Sequence, residues 1–523
     1  MKPLRNKARA NHAAVAKPIK LPAPTNGWYV GDNQADAPAG TAWTMDNVFP
    51  QLDYVRIRRG STAYSTALGS GTITTLIPYN AGINTKFFGI GGATIYDISS
   101  PGVASATTVT TLTNSTAEYI QFTGSGGQFL LVCNGSDAIQ IFNGAAWVTT
   151  PATTGISAPV SNLWVHKSRI YGIQGTSLNA FYLAVDSIGG VATNFPLSSI
   201  FKYGGYLLAG GTWAISSTNG PYEFMVLVSS EGEVATFYGD YPGAANWELK
   251  GTFKISKPLG KRCLQKAGGD LAIMTEDGLI AMSQIEKLDQ IALQNTAITK
   301  PIAPAWRQAV LSRNGLAGWQ ITLWPLESMA IVNLPKTDSL DKTQFVVNAR
   351  SGAWARYLGW DANCFSVYNN KLYYGTSDGR VLQAESGGAD DGAIPYTATI
   401  AWSYNDFGSQ AVSKYLTSAR LFCIESMSTA PNVFSLFDYN TTIPSGMVTG
   451  TNTSFGGALW GTAIWGVDVW GDTTQASQKY FNPTGIGSAV SLVYQCNFAN
   501  FLSEPDVKIA ALDIIVQSGN FYG

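Results

Sequence analysis

The sequence predicts an all-β protein whose largest part is a β-propeller of about seven blades. Short apolar runs recur in pairs around glycine-containing turns, and the pairs are spaced like propeller blades. Of the 523 residues, 55 are glycine and only 13% are charged. A blade is a four-stranded sheet of roughly 40–50 residues, so a hairpin that recurs at that spacing is what radial repetition requires.

The clearest copy of this repeat is the segment 372–385, in which two apolar runs flank Asp378-Gly379. An Asp-Gly pair favours a tight hairpin because the turn needs positive φ, which glycine adopts freely and aspartate tolerates. Related hairpins are predicted to turn near residues 92, 136, 175, 232, 278 and 338, at steps of about 39 to 60 residues. The repeats therefore assign residues 61–385 to the propeller.

Residues 1–60 are predicted to form an N-terminal arm and a strand. Up to about residue 26 the chain has no acidic residue, is interrupted by prolines, and includes the basic Arg5 and Arg9. Two interpretations stay open: a disordered tail, or an extended arm that docks on a neighbouring subunit or an acidic partner. No apolar segment follows the basic residues, so we expect no secretory signal.

A strand is predicted near residue 55, where Val55 and Ile57 alternate with Arg56 and Arg58, and Arg59 follows. This period of two is typical of a strand with one face in water. The arginines are interpreted either as that solvated face or as salt-bridge partners across a contact between subunits.

The propeller is predicted to contain one short helical insertion, near residues 285–311. Apolar residues recur at helical spacing over 285–293, and a second helical turn over 304–311 begins at Pro304, where a proline sacrifices no hydrogen bond. In a propeller such an insertion projects from the rim.

Residues 386–523 are predicted to form a C-terminal antiparallel β-domain. The Gly- and Asp-rich run 386–392 has loop chemistry and marks the boundary. Long strand-like runs follow at Pro395–Tyr404, Lys414–Cys423, Val433–Tyr439, Ala489–Gln495 and Val507–Val516.

Three Trp-Gly pairs in this last region begin at Trp460, Trp465 and Trp470. Their period of five matches neither a strand nor a helix, so the three rings are not expected to share one regular face. They are interpreted either as an aromatic mini-core beneath a long loop or as an exposed tip that stacks on sugar rings or meets a membrane surface.

The residues that catalysis needs are scarce. Of the two histidines, His12 and His166, each is expected to be structural or solvated. The five cysteines are far apart, which predicts buried thiols in a reducing compartment and neither disulfides nor a zinc site. Asp390-Asp391-Gly392 is interpreted as a turn in preference to a calcium loop. We therefore expect no catalytic residue, no metal and no cofactor.

Several segments resemble one family when taken in order along the chain. Asn47-Val48-Phe49-Pro50 followed by Val-Arg-Ile-Arg-Arg-Gly (55–60) opens the repeat region, and Phe345–Trp354, Tyr374–Gly379 with Asp390–Gly392, and Phe521–Gly523 come later. This series is similar to the tail nozzle, or tail tubular protein B type, of short-tailed bacteriophages.

The resemblance implies a structural virion protein assembled in the host cytoplasm as a ring, a homohexamer, in the viral tail. It would lie below an adaptor ring, with tail fibres or spikes at its side, and would retain and then conduct double-stranded DNA during ejection without binding it specifically. A formal net charge of −1 agrees with this, since tight DNA binding needs many cations. The alternative is a receptor- or glycan-binding propeller of a tail. A glycoside-cleaving enzyme ranks last.

Overall fold

The computed structural model describes residues 16–31, 33–69, 71–217, 220–337, 342–444, 453–454, 474–499 and 504–521. The chain divides into two compact units. One is Arg59–Ile394, and the other combines Met1–Arg58 with Pro395–Gly523. The predicted limits were 60/61 and 385/386.

The strands of the unit Arg59–Ile394 form seven antiparallel groups, numbered here as blades along the chain. Their strands are, for blade 1, Ile73–Ala81, Asn84–Gly91, Thr94–Asp97 and Ser105–Ala106; for blade 2, Glu118–Gly124, Gly127–Cys133, Gln140–Phe142 and Trp147–Val148; for blade 3, Val160–His166, Arg169–Gln174, Asn179–Tyr182 and Thr193–Pro196; for blade 4, Leu207–Ser217, Gly220–Ser229, Glu233–Tyr238 and Glu248–Lys254; for blade 5, Leu264–Ala267, Asp270–Thr275 and Gly278–Ala281; for blade 6, Gln320–Trp324, Met329–Asn333, Thr343–Asn348 and Trp354–Leu358; for blade 7, Cys364–Tyr368, Lys371–Gly375, Val381–Ala384 and Ser61–Thr66. Short pairs outside this scheme are Gly102–Val103 on Ser61–Thr66, and Thr153–Thr154 with Gly190–Val191.

The blades close into a ring. The first strand of each blade contacts the first strand of the next, and the first strand of blade 7 contacts that of blade 1. The outer strand of blade 7, Ser61–Thr66, comes from the start of the unit and pairs antiparallel with Val381–Ala384 from its end. The fold is therefore a seven-bladed β-propeller, as predicted.

Apolar side chains hold neighbouring blades together. Between blades 1 and 2, Phe88 lies 5.0 Å from Phe142, ring centre to ring centre, in an edge-on arrangement, and both are buried beside Ile77 and Leu130. Similar clusters join blades 2 and 3, 3 and 4, 4 and 5, and 7 and 1. Burial of a large apolar side chain contributes about 1.5–3 kcal/mol, so these contacts account for much of the stability of the ring.

Six of the seven predicted turns lie between the second and third strands of a blade. The seventh, near residue 338, lies outside the described residues; the strands on its two sides, Met329–Asn333 and Thr343–Asn348, pair antiparallel. Gly379 shows why glycine is needed: its φ is +80°, and a Cβ there would lie 2.3 Å from the carbonyl oxygen of Gly69. Residues that can adopt positive φ thus determine where each hairpin turns.

The helical insertion is real, but its first helix was predicted wrongly. Instead of one helix over 285–293, the chain forms Met282–Ile285 and then Gln290–Thr296. The break occurs because the Asp289 side chain accepts a hydrogen bond from the Ala292 amide at 2.9 Å and so starts a new helix. The second predicted helix is confirmed as Ala303–Ser312. Single 3-10 turns span Gln34–Asp36, Lys300–Ile302 and Pro325–Glu327.

The other unit contains two sheets assembled from both ends of the chain. The seven-stranded sheet has the order Val48–Pro50, Val55–Ile57, Val507–Phe521, Val412–Glu425 and Gln475–Phe481, with Ala16–Pro22 beside Val507–Phe521 and Gly485–Gly487 beside Val412–Glu425. The second sheet contains Gly27–Trp28, Thr41–Asp46, Tyr396–Trp402, Val490–Phe498 and Asn432–Phe437. Met427–Ser428 pairs with Thr453–Ser454. The strands after residue 395 pair antiparallel with one another, and strands from the chain start, which were predicted to form a separate N-terminal segment, belong to the same unit.

The described part of the N-terminal arm is an extended edge strand. Ala16–Pro22 pairs antiparallel with Val507–Phe521, and the Ala23 amide donates to the Ala510 carbonyl at 3.2 Å. Because backbone groups alternate in direction along a strand, Pro18 and Pro22 fall where an N–H would point away from the partner strand. Prolines at these positions leave the outer edge poor in donors, which discourages a further strand from pairing there.

Ser61 fastens the closing strand of the propeller. Its hydroxyl accepts hydrogen bonds from the Tyr374 hydroxyl at 2.8 Å and from the Asp391 amide at 3.0 Å. We predict that Ser61→Ala lowers the free energy of unfolding by about 1–3 kcal/mol, because it removes a buried acceptor from two donors. Thr66→Ala, on the same strand, is the control, and equal urea midpoints for the two variants would contradict the prediction.

Candidate functional site

The first strands of the seven blades surround a central channel, and a cavity lies at the end where these strands begin. Its volume is about 550 Å³. Six blades or their leading loops contribute to its wall, which contains Thr72, Thr74, Asn114, Thr116, Glu118, Tyr206, Leu208, Gly260, Lys261, Arg262, Ala317, Gly318, Trp319, Asn333, Pro335, Lys336, Ala362 and Asn363. A cavity of this size suits a small molecule.

Arg262 crosses the channel. It precedes the first strand of blade 5, yet its Nε donates to Glu118 Oε1 of blade 2 at 3.0 Å. Its Nη1 donates to the Thr74 carbonyl, and its Nη2 to Thr75 Oγ1 and the Ala117 carbonyl, at 2.8–3.0 Å. One guanidinium thus connects blades 1, 2 and 5.

The pair of Arg262 and Glu118 is largely shielded from water, with side-chain exposures of 17% and 18%. Burial alone lowers the pKa of the Arg262 guanidinium, but the Glu118 carboxylate outweighs it, so the pKa is raised above its ordinary value. A second cavity of about 300 Å³ lies beyond the pair and shares Glu118, Lys261 and Arg262 in its wall. The ion pair therefore divides the channel into two chambers.

His166 and the five cysteines are buried in the described ranges. His166 is buried between blades 3 and 4, with Nδ1 3.1 Å from Thr212 Oγ1 and Nε2 3.4 Å from the Gly239 carbonyl. All five cysteines are buried, as predicted, and burial raises the pKa of Cys364 to about 11 and of Cys263 to about 12, which makes the thiols unreactive. In the same ranges, no group of three or more His, Cys, Asp or Glu residues could hold a metal ion.

The carboxylates of the 390–392 turn have protein partners. Arg380 donates to both oxygens of Asp391, at 2.8 and 2.7 Å, and Trp360 Nε1 donates to Asp390 Oδ1 at 3.0 Å. These contacts agree with the interpretation of the segment as a turn. They fix the end of the propeller beside its closing strand.

The prediction that Arg56 and Arg58 form a solvated strand face is wrong, because both are buried. Strand Val55–Ile57 has a neighbour on each side, and Arg56 lies 6.0 Å from the Phe49 ring centre. The Arg58 guanidinium lies 3.9 Å over the Tyr396 ring, and its Nε donates to Asn47 Oδ1 at 2.8 Å. These arginines stabilise the fold of the chain itself.

Arg59 is half-buried, and its amide donates to Glu385 Oε2 at 3.0 Å. The other predicted interface or tip residues lie outside the described residues: Arg5, Arg9, Trp460, Trp465 and Trp470. Their predicted roles therefore stay predictions.

The seven-stranded sheet has one side that is rich in exposed apolar residues, which sequence reasoning missed. We call it the outer face and define it by Tyr415, Ile424, Tyr480, Ile486 and Ile515, all more than a third exposed. Cross-strand register joins them: Tyr415 is opposite Ile486, and Arg420 is opposite Tyr480. The opposite side carries the buried residues Leu416, Ala419, Leu421, Ile514 and Val516.

The outer face differs from an ordinary solvated face. An antiparallel sheet with one wet side normally alternates apolar and polar residues, whereas here both sides carry large apolar side chains. Two of its charged residues are paired with each other: Arg420 Nη2 donates to Asp513 Oδ2 at 2.6 Å, and the Arg420 guanidinium lies 4.5 Å from the centre of the Phe422 ring. Exposed apolar patches of this kind mark protein–protein contacts.

Comparisons with known proteins do not assign the chain to a family. No family model and no curated protein matches the chain. Among solved structures, the WD40 β-propeller domain of Doa1 is similar, with a TM-score of 0.38 and 12% identity over 62% of this chain and 97% of that chain. No helix in the described part of the chain is long and apolar enough to cross a membrane.

We predict that Arg262→Met lowers the free energy of unfolding by about 3–5 kcal/mol, since it leaves the buried Glu118 carboxylate without its partner. Lys266→Met, an exposed lysine of the same blade, serves as the control and should change stability little. Chemical denaturation measures both. Equal stability of the two variants would show that Arg262 does not tie the blades together.

The burial of His166 predicts that the free energy of unfolding depends on pH. Burial lowers the pKa of His166 below its ordinary value, although the Gly239 carbonyl opposes the shift. The unfolded chain therefore binds a proton more readily, and stability should fall as the pH drops below about 6.5, by at most about 1.4 kcal/mol per pH unit. His166→Gln should flatten this slope between pH 7 and 5; an unchanged slope would assign the effect to other groups.

Proposed function

We propose that this chain is the nozzle of a short phage tail, a structural virion protein that assembles as a ring of six copies. It retains the packaged genome and then conducts it during ejection, and it anchors the adaptor ring above and the fibres or spikes at its side. It is not an enzyme. The observation that carries the proposal is the outer face of the seven-stranded sheet, together with the ordered resemblance in the sequence.

The outer face supports self-association. Tyr480 is 71% exposed and Ile486 is 60% exposed, and among the described strands their own strands, Gln475–Phe481 and Gly485–Gly487, each pair only with Val412–Glu425. Such a surface is costly in water and gains stability when a second protein covers it. A cyclic ring buries one patch of each copy on a different patch of its neighbour, so an apolar face on every copy can be covered throughout the ring.

The closed channel of the propeller also supports a ring. A DNA duplex cannot pass a channel that an arginine side chain crosses, so a conduit for DNA has to lie between copies. Near-neutral net charge suits such a conduit, because DNA that is held by many cations would not slide.

The prediction that tests this proposal concerns the oligomeric state. The protein, alone and together with the adaptor protein of the proposed tail, should form rings of six copies in native mass spectrometry. The double change Tyr480→Asp with Ile486→Asp should leave monomers, because two carboxylates cannot be buried unpaired in the contact.

Ile83→Asp is the matched control, because Ile83 is almost fully exposed at a turn of blade 1 and is not part of the outer face. It should still form rings, and all variants should keep the wild-type circular dichroism spectrum. A wild-type chain that stays monomeric under both conditions would overturn the proposal, and a monomer or trimer that binds a glycan array would favour the receptor-binding alternative.

A further inference from the structure

The cavity at the channel mouth has features of a ligand site that the nozzle function does not use. It is closed at its inner end by the pair of Arg262 and Glu118, so a molecule that enters from outside stops there. Its volume of about 550 Å³ lies within the range of small-molecule sites.

One of the basic side chains that line this cavity has no carboxylate partner among the described residues. Three basic side chains line it, Lys261, Arg262 and Lys336, against the single carboxylate of Glu118. Arg262 is paired with Glu118, and Lys336 makes an ion pair with Asp361 just behind the wall. Lys342 also reaches Asp361, at 3.6 Å, but it is half-exposed and screened by water.

Lys261 is the remaining cation. It is half-buried in the loop before the first strand of blade 5, and among the described residues no ion pair or hydrogen bond to its ammonium is found. A partly desolvated ammonium gains most from one negative charge at contact distance. A monoanion placed on Lys261 therefore supplies the negative charge that this ammonium lacks.

The rest of the wall suits a polyhydroxylated molecule. Hydroxyls of Thr72 and Thr116 and the phenol of Tyr206 can exchange hydrogen bonds with ligand hydroxyls, and the Asn363 amide lies beside them. Leu208 contributes an apolar surface to the wall, against which the carbon skeleton of a ligand can pack. This mixture of donors, acceptors and apolar surface is typical of a site that binds one small polar molecule.

We propose that the mouth of the propeller channel binds an acidic monosaccharide unit, with the sugar carboxylate on the Lys261 ammonium. The ring lies against the wall of blades 4 and 7, and Arg262 acts as the floor of the site by holding the blades in place. This site is separate from the outer face, so ligand binding and ring formation are independent properties of the chain.

Calorimetric titration of the full chain tests the site with four probes: glucuronate, glucose, acetate and inorganic phosphate. Glucuronate carries both features that the site selects, so it should bind at least tenfold more tightly than glucose, acetate or phosphate, and its affinity should fall as salt is added. Lys261→Met should weaken glucuronate at least tenfold, and Lys266→Met, an exposed lysine of the same blade, should not.

Several results would overturn the assignment: no heat with glucuronate, equal affinity for glucose and glucuronate, tighter binding of phosphate, or an unchanged affinity in Lys261→Met. Thermal unfolding verifies that each variant is folded, and Lys261→Gln replaces Lys261→Met if the latter is not. Native mass spectrometry of Lys261→Met should show the same oligomer as wild type, so failure of this proposal and failure of the nozzle proposal are distinguishable.

Discussion

The closing of blade 7 is the constraint on which the rest of the structure depends. The Tyr374 hydroxyl donates to Ser61 Oγ, a contact between residues 313 apart in sequence, and strand Ser61–Thr66 pairs with Val381–Ala384. Without that strand, blade 7 would present an open edge, and unpaired edges invite association with other chains. Loop-closure entropy opposes such a distant contact, so it is favoured only after the intervening blades have packed.

Closure of the propeller also explains why the two ends of the chain contribute strands to the same compact unit. Because the first and last strands of the propeller are neighbours, the chain enters and leaves at the same blade. The segments on either side can then pair: Ala16–Pro22 joins Val507–Phe521, and Thr41–Asp46 joins Tyr396–Trp402. The seven-stranded sheet, with its exposed outer face, depends on this meeting of the termini.

Local features were predictable from the sequence, and features formed across the ring were not. Turns such as Asp378-Gly379 could be placed because positive φ is a property of the residue itself. The contacts of Arg262 could not, since Glu118 becomes its neighbour only when blades 2 and 5 face each other across the channel. The alternation of apolar residues with Arg56 and Arg58 correctly predicted a strand. Such alternation does not show whether other parts of the chain cover the side of the strand that carries the arginines.

The buried ion pair and the exposed outer face divide the tasks of the molecule. Arg262 donates four hydrogen bonds across the channel and closes it, so in the proposed ring the propeller channel is not the path of the DNA. Assembly of that ring depends on residues outside the channel, and the outer face offers exposed apolar side chains for it. A rigid partner loses little conformational entropy on association, so even a modest apolar patch on each copy can hold a ring together.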